Sequence, residues 1–185
     1  MHQKYLDSIT THLLKHKLIE DWDTIKCIEK DQTIDDGDYS ISTCYEIYHE
    51  IYNDNKHYIA EFTLAKMPGC CGVVISTGAW IDYKYRRCGL GKLLNKIRIE
   101  LAKDKGYSLL LCTDLIRNTP QRKILRKNKW LPLYRFTNRN TNNNLSLDCI
   151  SLTGRTSRLS SRWIRIKEWW EWLKAFSKRS YRDGY

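Results

Sequence analysis

The chain has 185 residues, of which 42% are hydrophobic and 29% are charged. This length favours one domain with a buried core, and this composition excludes a wholly disordered chain. The net charge of +11 favours an anionic partner, which is a nucleic acid, a phosphorylated cofactor, a membrane surface or an acidic protein.

The sequence carries no targeting or metal-binding pattern. No apolar run approaches the roughly 18 residues that a membrane-spanning helix needs, and residues 1–7 lack the apolar block of a signal peptide. We therefore expect a cytoplasmic protein. Seven scattered cysteines without a Cys-x-x-Cys pair favour reduced thiols over a disulfide framework or a metal site. We interpret the adjacent Cys70 and Cys71 as small strand residues rather than as a redox pair.

The first half of the chain contains one predicted helix and two predicted strands. Apolar residues at helical spacing predict an amphipathic helix over residues 3–19. In residues 24–52, residues 25–28 look strand-like, residues 35–38 predict a turn and residues 45–51 fit either period, so the secondary structure of this segment stays open. Residues 58–64 alternate as a half-buried strand does, and residues 72–81 form the apolar run of a central strand buried on both faces. The side chains expected to face the core in the first of these strands are Tyr58, Ala60, Phe62 and Leu64.

A change of period at Leu90 predicts a helix that ends near Gly106. Residues 107–113 then read as a second buried strand. A strand, a helix and a strand in this short space imply a right-handed crossover and parallel pairing. This part of the chain therefore predicts a central sheet with a parallel pair.

Two further elements complete the predicted domain, residues 1–152. Thr119 and Pro120 are the expected N-cap and first residue of a helix that runs to Lys127. Residues 131–136 and 145–152 predict a hairpin around an asparagine-rich turn. The fold class is thus α/β, or mixed α+β, with a central mixed sheet flanked by helices.

The remaining residues, 153–185, form a basic, tryptophan-rich extension with nine Lys or Arg and three Asp or Glu. A polar linker is followed by a predicted helix whose apolar stripe includes Trp163, Trp170 and Leu173. Such a helix binds an anionic membrane, a nucleic acid or a partner protein, or packs on its own domain or across a dimer. We favour the packing interpretation, because clustered tryptophans are rarely left in water.

The stretch Arg86-Arg87-Cys88-Gly89-Leu90-Gly91 carries the main functional pattern. A glycine-rich turn that opens a helix presents unpaired backbone N–H groups, and the helix dipole adds positive charge there. Gly89 and Gly91 allow close approach of phosphate oxygens, while Arg86, Arg87 and Lys92 add full charges. The turn therefore predicts a pyrophosphate site, although an ordinary tight turn before a surface helix would need the same glycines.

With its flanking elements, this stretch resembles the GNAT superfamily of acyl-CoA N-acyltransferases. The motif Arg/Gln-x-x-Gly-x-Gly/Ala of that family is matched by residues 86–91, and Asn118 stands where the family often has an asparagine after the next strand. The resemblance covers about residues 72–152, with a CoA-binding core of about 72–130. The chain also resembles, more weakly, small acetyltransferases encoded by tailed bacteriophages, which would place it in the host cytoplasm.

The resemblance implies a splayed pair of strands that holds acetyl-CoA and direct attack of an amine on the thioester. The amine would belong to a protein, a small molecule or a modified nucleotide. Backbone groups near Ile81 would hold the pantetheine arm, and the turn would hold the diphosphate. The implied cofactor-binding residues are Ile81, Arg86, Arg87, Cys88, Gly89, Leu90, Gly91, Lys92 and Asn118.

Candidate catalytic residues are less well defined. Many family members have a tyrosine seven residues after the asparagine, as the acid for the thiolate, where this chain has Leu125. Asp114 is our first choice for the base and Asp82 the second, although either could cap a turn. Tyr83 is our candidate for the acid that protonates the thiolate. Tyr85 and Tyr134 could also reach the site, and each of the three tyrosines could equally be structural. The catalytic candidates are therefore Asp114, Asp82, Tyr83, Tyr85 and Tyr134.

Two functions from different classes follow. The first is an acetyl-CoA-dependent N-acetyltransferase. The second is a non-catalytic protein of the same fold that binds nucleic acid or an acidic protein through residues 153–185. Leu125 and the basic extension support the second function, and the motif at residues 86–91 supports the first.

Overall fold

Seven strands form one mixed sheet in the computed structural model, which describes residues 1–20, 24–33, 41–51, 55–67 and 70–153. The spatial order of the strands is β1-β2-β3-β4-β5-β7-β6. The strands are β1 (Thr24–Thr33), β2 (Ile41–Ile51), β3 (Asn55–Lys66), β4 (Val73–Ile81), β5 (Leu109–Leu115), β6 (Leu131–Thr137) and β7 (Asn144–Ser151). The helices are α1 (Gln3–Lys15), α2 (Leu90–Asp104) and α3 (Thr119–Lys127).

The sheet confirms the predicted mixed fold class. Strands β1 to β4 form an antiparallel meander, β4 and β5 are parallel, and β7 lies antiparallel between β5 and β6. The parallel pair is joined through α2, as the crossover rule predicted. The final hairpin is also confirmed. No helix within the described residues is long and apolar enough to cross a membrane.

The segment that the sequence left open forms β1 and β2, paired in register from Thr24 opposite Glu50 to Thr33 opposite Ile41. The register of β2 against β3 shifts between Ile47 and Tyr48. A bulge of this kind breaks the alternation of inward and outward side chains. The extra residue is Ile59 of β3, because Ile47 lies opposite Ala60 and Tyr48 opposite Tyr58.

Strands β4 and β5 diverge, which corrects the expectation that β4 is buried on both faces. Their pairing runs only from Val73 opposite Leu109 to Ser76 opposite Cys112, while β4 continues to Ile81. Residues 73–76 are buried or half-buried, but residues 77–80 are exposed. The predicted splay is therefore present, and the edge of β4 beyond Ser76 faces open space instead of β5.

Helix α1 is shorter than predicted because its end uses a lysine in place of glycine. Lys17 adopts a left-handed conformation with φ of +52°. The N–H of Leu18 donates to the Leu13 carbonyl at 3.1 Å and that of Lys17 to the Leu14 carbonyl at 2.9 Å. This is the Schellman arrangement that stops a helix. Without a glycine at this position, the sequence pattern overran the helix end by four residues.

Three smaller expectations were also wrong. Tyr58 is 47% exposed, because the pairing of β2 with β3 skips Ile59, so that Ile59 and Ala60 are both buried and the alternation is broken before Tyr58. Cys70 and Cys71 are exposed in the turn before β4 instead of lying in the strand. The cap of α3 is Asn118, not the following threonine. The predicted C-terminal helix, like the boundary expected after residue 152, concerns residues 154–185, which lie outside the described residues.

One core joins α1, α2 and the sheet. Tyr5, Ile9 and Leu13 of α1 are buried in it, and the rings of Tyr45 and Phe62 stack with centroids 4.9 Å apart. Helix α2 contributes its own apolar face. The core thereby fixes α2 against the sheet, so that the first turn of this helix lies beside the diverging part of β4.

A buried asparagine ties α2 to the chain after α3. Asn95 is fully buried, and its Oδ1 accepts bonds from Asn128 Nδ2 at 2.7 Å and from the Trp130 indole at 3.3 Å. Replacing Asn95 by Ala leaves two buried donors without an acceptor. We expect a loss of about 1–3 kcal/mol in the free energy of unfolding, measured by urea denaturation. An unchanged unfolding midpoint would contradict this structural role, and Lys96→Ala in the same helix is the control.

Candidate acyl-CoA site

A cleft of about 600 Å³ opens beside the diverging part of β4 and the first turns of α2 and α3. It contains Trp80 and Gln121 in addition to most of the residues expected to bind a cofactor. Seven of those nine predicted residues line it: Ile81, Arg86, Arg87, Gly89, Gly91, Lys92 and Asn118. Residues from three separate elements therefore meet at one cleft.

The turn before α2 has an unusual backbone. Gly89 has φ of +95° and Arg87 has φ of +63°. The left-handed conformation is free for glycine but costs an arginine about 1–2 kcal/mol. Strain of this kind is often retained at binding sites, where it turns successive N–H groups toward one point.

The first turn of α2 is built for close contact with its neighbours. The N–H groups of Lys92 and Leu93 are the first to bond back, both to the Gly89 carbonyl. The preceding amides are those that a helix start leaves without an intrahelical partner. A Cβ on Gly91 would lie 3.3 Å from Ile124 Cδ1 and 3.4 Å from Ile81 Cδ1. A side chain at position 91 would therefore need the Ile124 side chain to shift by a few tenths of an ångström, and glycine avoids this crowding where α2 begins beside α3 and β4.

Several side chains hold the turn in place. Arg86 Nε donates to the Ile81 carbonyl at 2.7 Å, and Cys88 Sγ donates to the Tyr85 carbonyl at 3.1 Å. His12 Nε2 lies 3.1 Å from the Cys88 carbonyl oxygen. This role of His12 could not be predicted from the sequence, because the contact joins residues 76 positions apart. The predicted residues Arg86 and Cys88 therefore help to shape the turn.

The charges around the cleft are positive. Arg86, Arg87 and Lys92 are exposed at its rim. The α2 and α3 N-termini both point their dipoles at it, and Asn118 Oδ1 caps α3 by accepting from the Gln121 N–H at 3.3 Å. Leu90, by contrast, is buried and anchors the helix start from below. This combination suits a diphosphate.

Asp114 is a buried carboxylate at the end of β5. It is 7% exposed, and its Oδ1 accepts from Asn118 Nδ2 at 3.2 Å. No described residue is a hydrogen-bond partner for its Oδ2. Burial, with a further contribution from the nearby carboxylate of Asp148, raises the pKa of Asp114 to about 6. A carboxylate with this pKa is deprotonated at neutral pH yet basic enough to accept a proton in catalysis.

The other catalytic candidates have different surroundings. Asp82 Oδ1 accepts from the Lys84 N–H at 2.9 Å and caps a single 3₁₀ turn, as its alternative interpretation predicted. Tyr83 is 81% exposed and Tyr134 59% exposed, whereas Tyr85 is buried. Leu125 is buried in the core. Of the five catalytic candidates, Asp114 is thus the one with a buried side-chain oxygen that has no hydrogen-bond partner among the described residues.

Two further cavities adjoin the cleft, and Trp80 lines all three. One, of about 50 Å³, lies between α2 and the diverging part of β4. The other, of about 390 Å³, is lined by Tyr58, Ala60 and two glutamates, Glu46 and Glu61. Trp80 is 42% exposed, which is unusual for so large an apolar ring. Within the described ranges, no three metal-binding side chains converge on a common point.

Comparisons with known proteins connect this geometry to a fold. No protein-family model matches the sequence, and no curated protein is significantly similar to it. Among solved structures, a spermidine N-acetyltransferase from Vibrio cholerae, in complex with CoA and spermine, has a TM-score of 0.50 at 9% identity, over 60% of this chain and 66% of that chain.

Two other solved structures superpose less closely. An IAA acetyltransferase from Bacillus cereus has a TM-score of 0.47 at 12% identity, over 60% of this chain and 77% of that chain. An acetyltransferase of the GNAT family from Streptococcus pneumoniae has a TM-score of 0.46 at 16% identity, over 60% and 66%. The order of the strands, the splay between β4 and β5 and the similarity to the Vibrio cholerae structure show that this chain has the fold of the GNAT acyl-CoA N-acyltransferases.

Proposed function

We propose that this protein is an N-acetyltransferase that moves an acetyl group from acetyl-CoA to an amine. The observation that carries the proposal is the convergence of the strained turn at residues 86–91 with the splayed edge of β4 at one positively charged cleft. The fold supports it, since a protein with the same fold was solved with CoA bound.

The cleft offers distinct contacts for the two parts of CoA. The amides at the start of α2, together with Arg87 and Lys92, would bind the diphosphate. Each charge-assisted hydrogen bond contributes roughly 1.5–3 kcal/mol. The edge of β4 that no longer pairs with β5 beyond Ser76 would hold the pantetheine arm, which carries the thioester into the splay. Ile81 keeps its carbonyl engaged with Arg86, so this contact falls to the residues before Ile81.

Asp114 is the proposed general base. Its free Oδ2 is buried at the end of β5, next to the open part of the splay. Acetyl-CoA supplies an activated acyl carbon, and Asp114 accepts, directly or through water, the proton that the attacking nitrogen loses. Asn118 holds the other carboxylate oxygen and keeps the side chain in one orientation.

The acidic cavity beside Trp80 is the proposed acceptor side. Glu46 and Glu61 stand directly opposite each other on β2 and β3, and Glu61 is also opposite Trp80. Like charges in this position destabilise a sheet. Lys30 Nζ, 2.8 Å from Glu46 Oε1, offsets one charge, and a cationic substrate over the Trp80 ring would offset the other. The acceptor is therefore proposed to be an amine with positive charge.

Glu61→Gln tests the acceptor side. Without the Glu61 charge, the KM for a cationic amine should rise about fivefold, which corresponds to about 1 kcal/mol, and the effect should shrink at high salt. The KM for acetyl-CoA should not change. Glu100→Gln, which removes a carboxylate on α2 that lines none of these cavities, is the control. An unchanged KM for the amine in Glu61→Gln would remove this cavity from the acceptor site.

The overall proposal is tested by two measurements on the full chain. Calorimetric titration with acetyl-CoA should show saturable binding. Incubation of cell extract with isotopically labelled acetyl-CoA, followed by mass spectrometry, should show labelled amines only when the protein is present. Absence of CoA binding, together with tight and salt-sensitive binding of DNA or RNA, would instead support the non-catalytic alternative. Cytoplasmic location, a phage origin, a homodimer and the contacts of residues 153–185 remain predictions.

A further inference from the structure

Arg98 is a buried cation that forms no salt bridge with the described residues. Burial lowers its pKa, while the Asp114 carboxylate nearby favours its charged form. Arg98 lies on α2 and is 4% exposed. Its Nη1 donates to Ser76 Oγ at 3.1 Å, and its Nε has no hydrogen-bond partner among the described residues. An unpaired buried charge is costly in a protein interior. The core therefore carries this charge at the expense of stability.

The position of Arg98 coincides with the inner end of the splay. Ser76, its hydrogen-bond partner, is the last residue of β4 that pairs with β5. Arg98 also lines the small cavity between α2 and the diverging part of β4, with Ala79 and Gly91. Arg98 thus lies beside the space into which the thioester of a bound acyl-CoA would reach.

Acyl transfer from a thioester creates negative charge in that space. The amine nitrogen forms a bond to the carbonyl carbon, the carbon–sulfur bond breaks, and the sulfur keeps the electron pair. Asp114 accepts the proton from the nitrogen, and a proton from that carboxyl group or from water then converts the thiolate to a thiol. The departing sulfur needs a cation or an acid nearby, and α3 offers only the apolar Leu125 at the position that the family resemblance indicated.

We propose that Arg98 is the catalytic residue that stabilises the negative charge on the departing sulfur. This inference rests on the proposed function. An arginine suits the role because its guanidinium stays protonated even where burial disfavours the charge. Its free Nε leaves a donor for the sulfur while Nη1 remains bonded to Ser76. The base on β5 accepts the proton of the amine, and the cation on α2 stabilises the sulfur.

The test uses CoA, the thiol product, and desulfo-CoA, which lacks the sulfur. A cation within about 4–6 Å of the thiol should lower its pKa by about one unit or more. Affinity for CoA, relative to desulfo-CoA, should therefore rise about threefold or more between about pH 7 and about pH 9.5. Calorimetry on the wild-type full chain measures this ratio, and desulfo-CoA removes the contribution of groups that titrate elsewhere in the protein.

Two variants separate the charge from the shape of the side chain. In Arg98→Met the ratio should stay flat with pH, while desulfo-CoA binds within about threefold of wild type. Arg98→Lys should keep part of the pH dependence. A flat ratio in wild type, or an unchanged pH dependence in a folded Arg98→Met, overturns the inference while leaving acetyl-CoA binding in place. Failure of wild type to bind either compound overturns the proposed function as well.

Discussion

Replacement of Gly91 by Leu is expected to weaken acetyl-CoA binding about 100-fold or more while the protein remains folded. The Cβ alone meets Ile124 Cδ1 at 3.3 Å and Ile81 Cδ1 at 3.4 Å, so the rest of the side chain must enter the cleft that Gly91 lines. Loss of about two charge-assisted hydrogen bonds would cost about 3 kcal/mol or more. Because leucine favours a helix more than glycine does, α2 itself should not unravel.

The matched control introduces the same residue elsewhere on the same helix. Lys96→Leu changes a side chain that is 71% exposed and lies on α2 away from the cleft. Calorimetric titration should give a wild-type dissociation constant for Lys96→Leu, and thermal unfolding should be cooperative for both variants. An affinity of Gly91→Leu within threefold of wild type would exclude this cleft as the diphosphate site.

Much of the central architecture could be predicted because its determinants are local. The change from strand to helical period at Leu90 and the asparagine-rich turn before β7 gave elements that the structure confirms. The glycines of the turn were identified from the sequence pattern and Asn118 from the family resemblance, and most of the predicted cofactor-binding residues line one cleft. Short-range patterns thus predicted the elements around the cleft.

The remaining features depend on contacts between distant residues. The bulge at Ile59, which leaves Tyr58 exposed, arises from the pairing of β3 with β2. His12 contacts the turn before α2, and Arg98 is buried against Ser76. Both contacts join elements that lie far apart in the chain. The half-exposure of β4 follows from the divergence of β5, which its apolar composition concealed. Spacing within the sequence carries no information on such contacts.

The pH dependence of stability provides a check on Asp114 that needs no substrate. The pKa of Asp114 is raised from 3.8 to about 6, so the folded protein holds this proton more tightly than the unfolded chain. The stabilisation of the folded state that comes from binding this proton is present below about pH 4 and is lost as the pH rises through 6. Asp114→Asn does not titrate, so its advantage in Tm over wild type should grow between about pH 4 and about pH 6 and then level off.

Asp114→Asn should also lower kcat about 100-fold or more, because a positioned general base typically contributes a factor of about 10² to 10⁴. The KM for acetyl-CoA should stay the same, since Asp114 lies outside the diphosphate turn. In wild type, kcat should fall below about pH 6, where Asp114 becomes protonated, and this acid limb should be absent from the residual activity of the variant. The labelled acceptor identified by mass spectrometry is the substrate for these rates.

Asp148→Asn separates the role of Asp114 from a general effect of buried charge. The nearby Asp148 carboxylate helps to raise the pKa of Asp114, so its removal should move the acid limb to lower pH while most of the activity at neutral pH is retained. If the fall of kcat at low pH occurs at the same pH in Asp148→Asn as in wild type, and also persists in Asp114→Asn, the titrating base is another group. A shifted limb in the first variant together with a lost limb in the second would tie the proton transfer to Asp114, because only its own pKa links the two results.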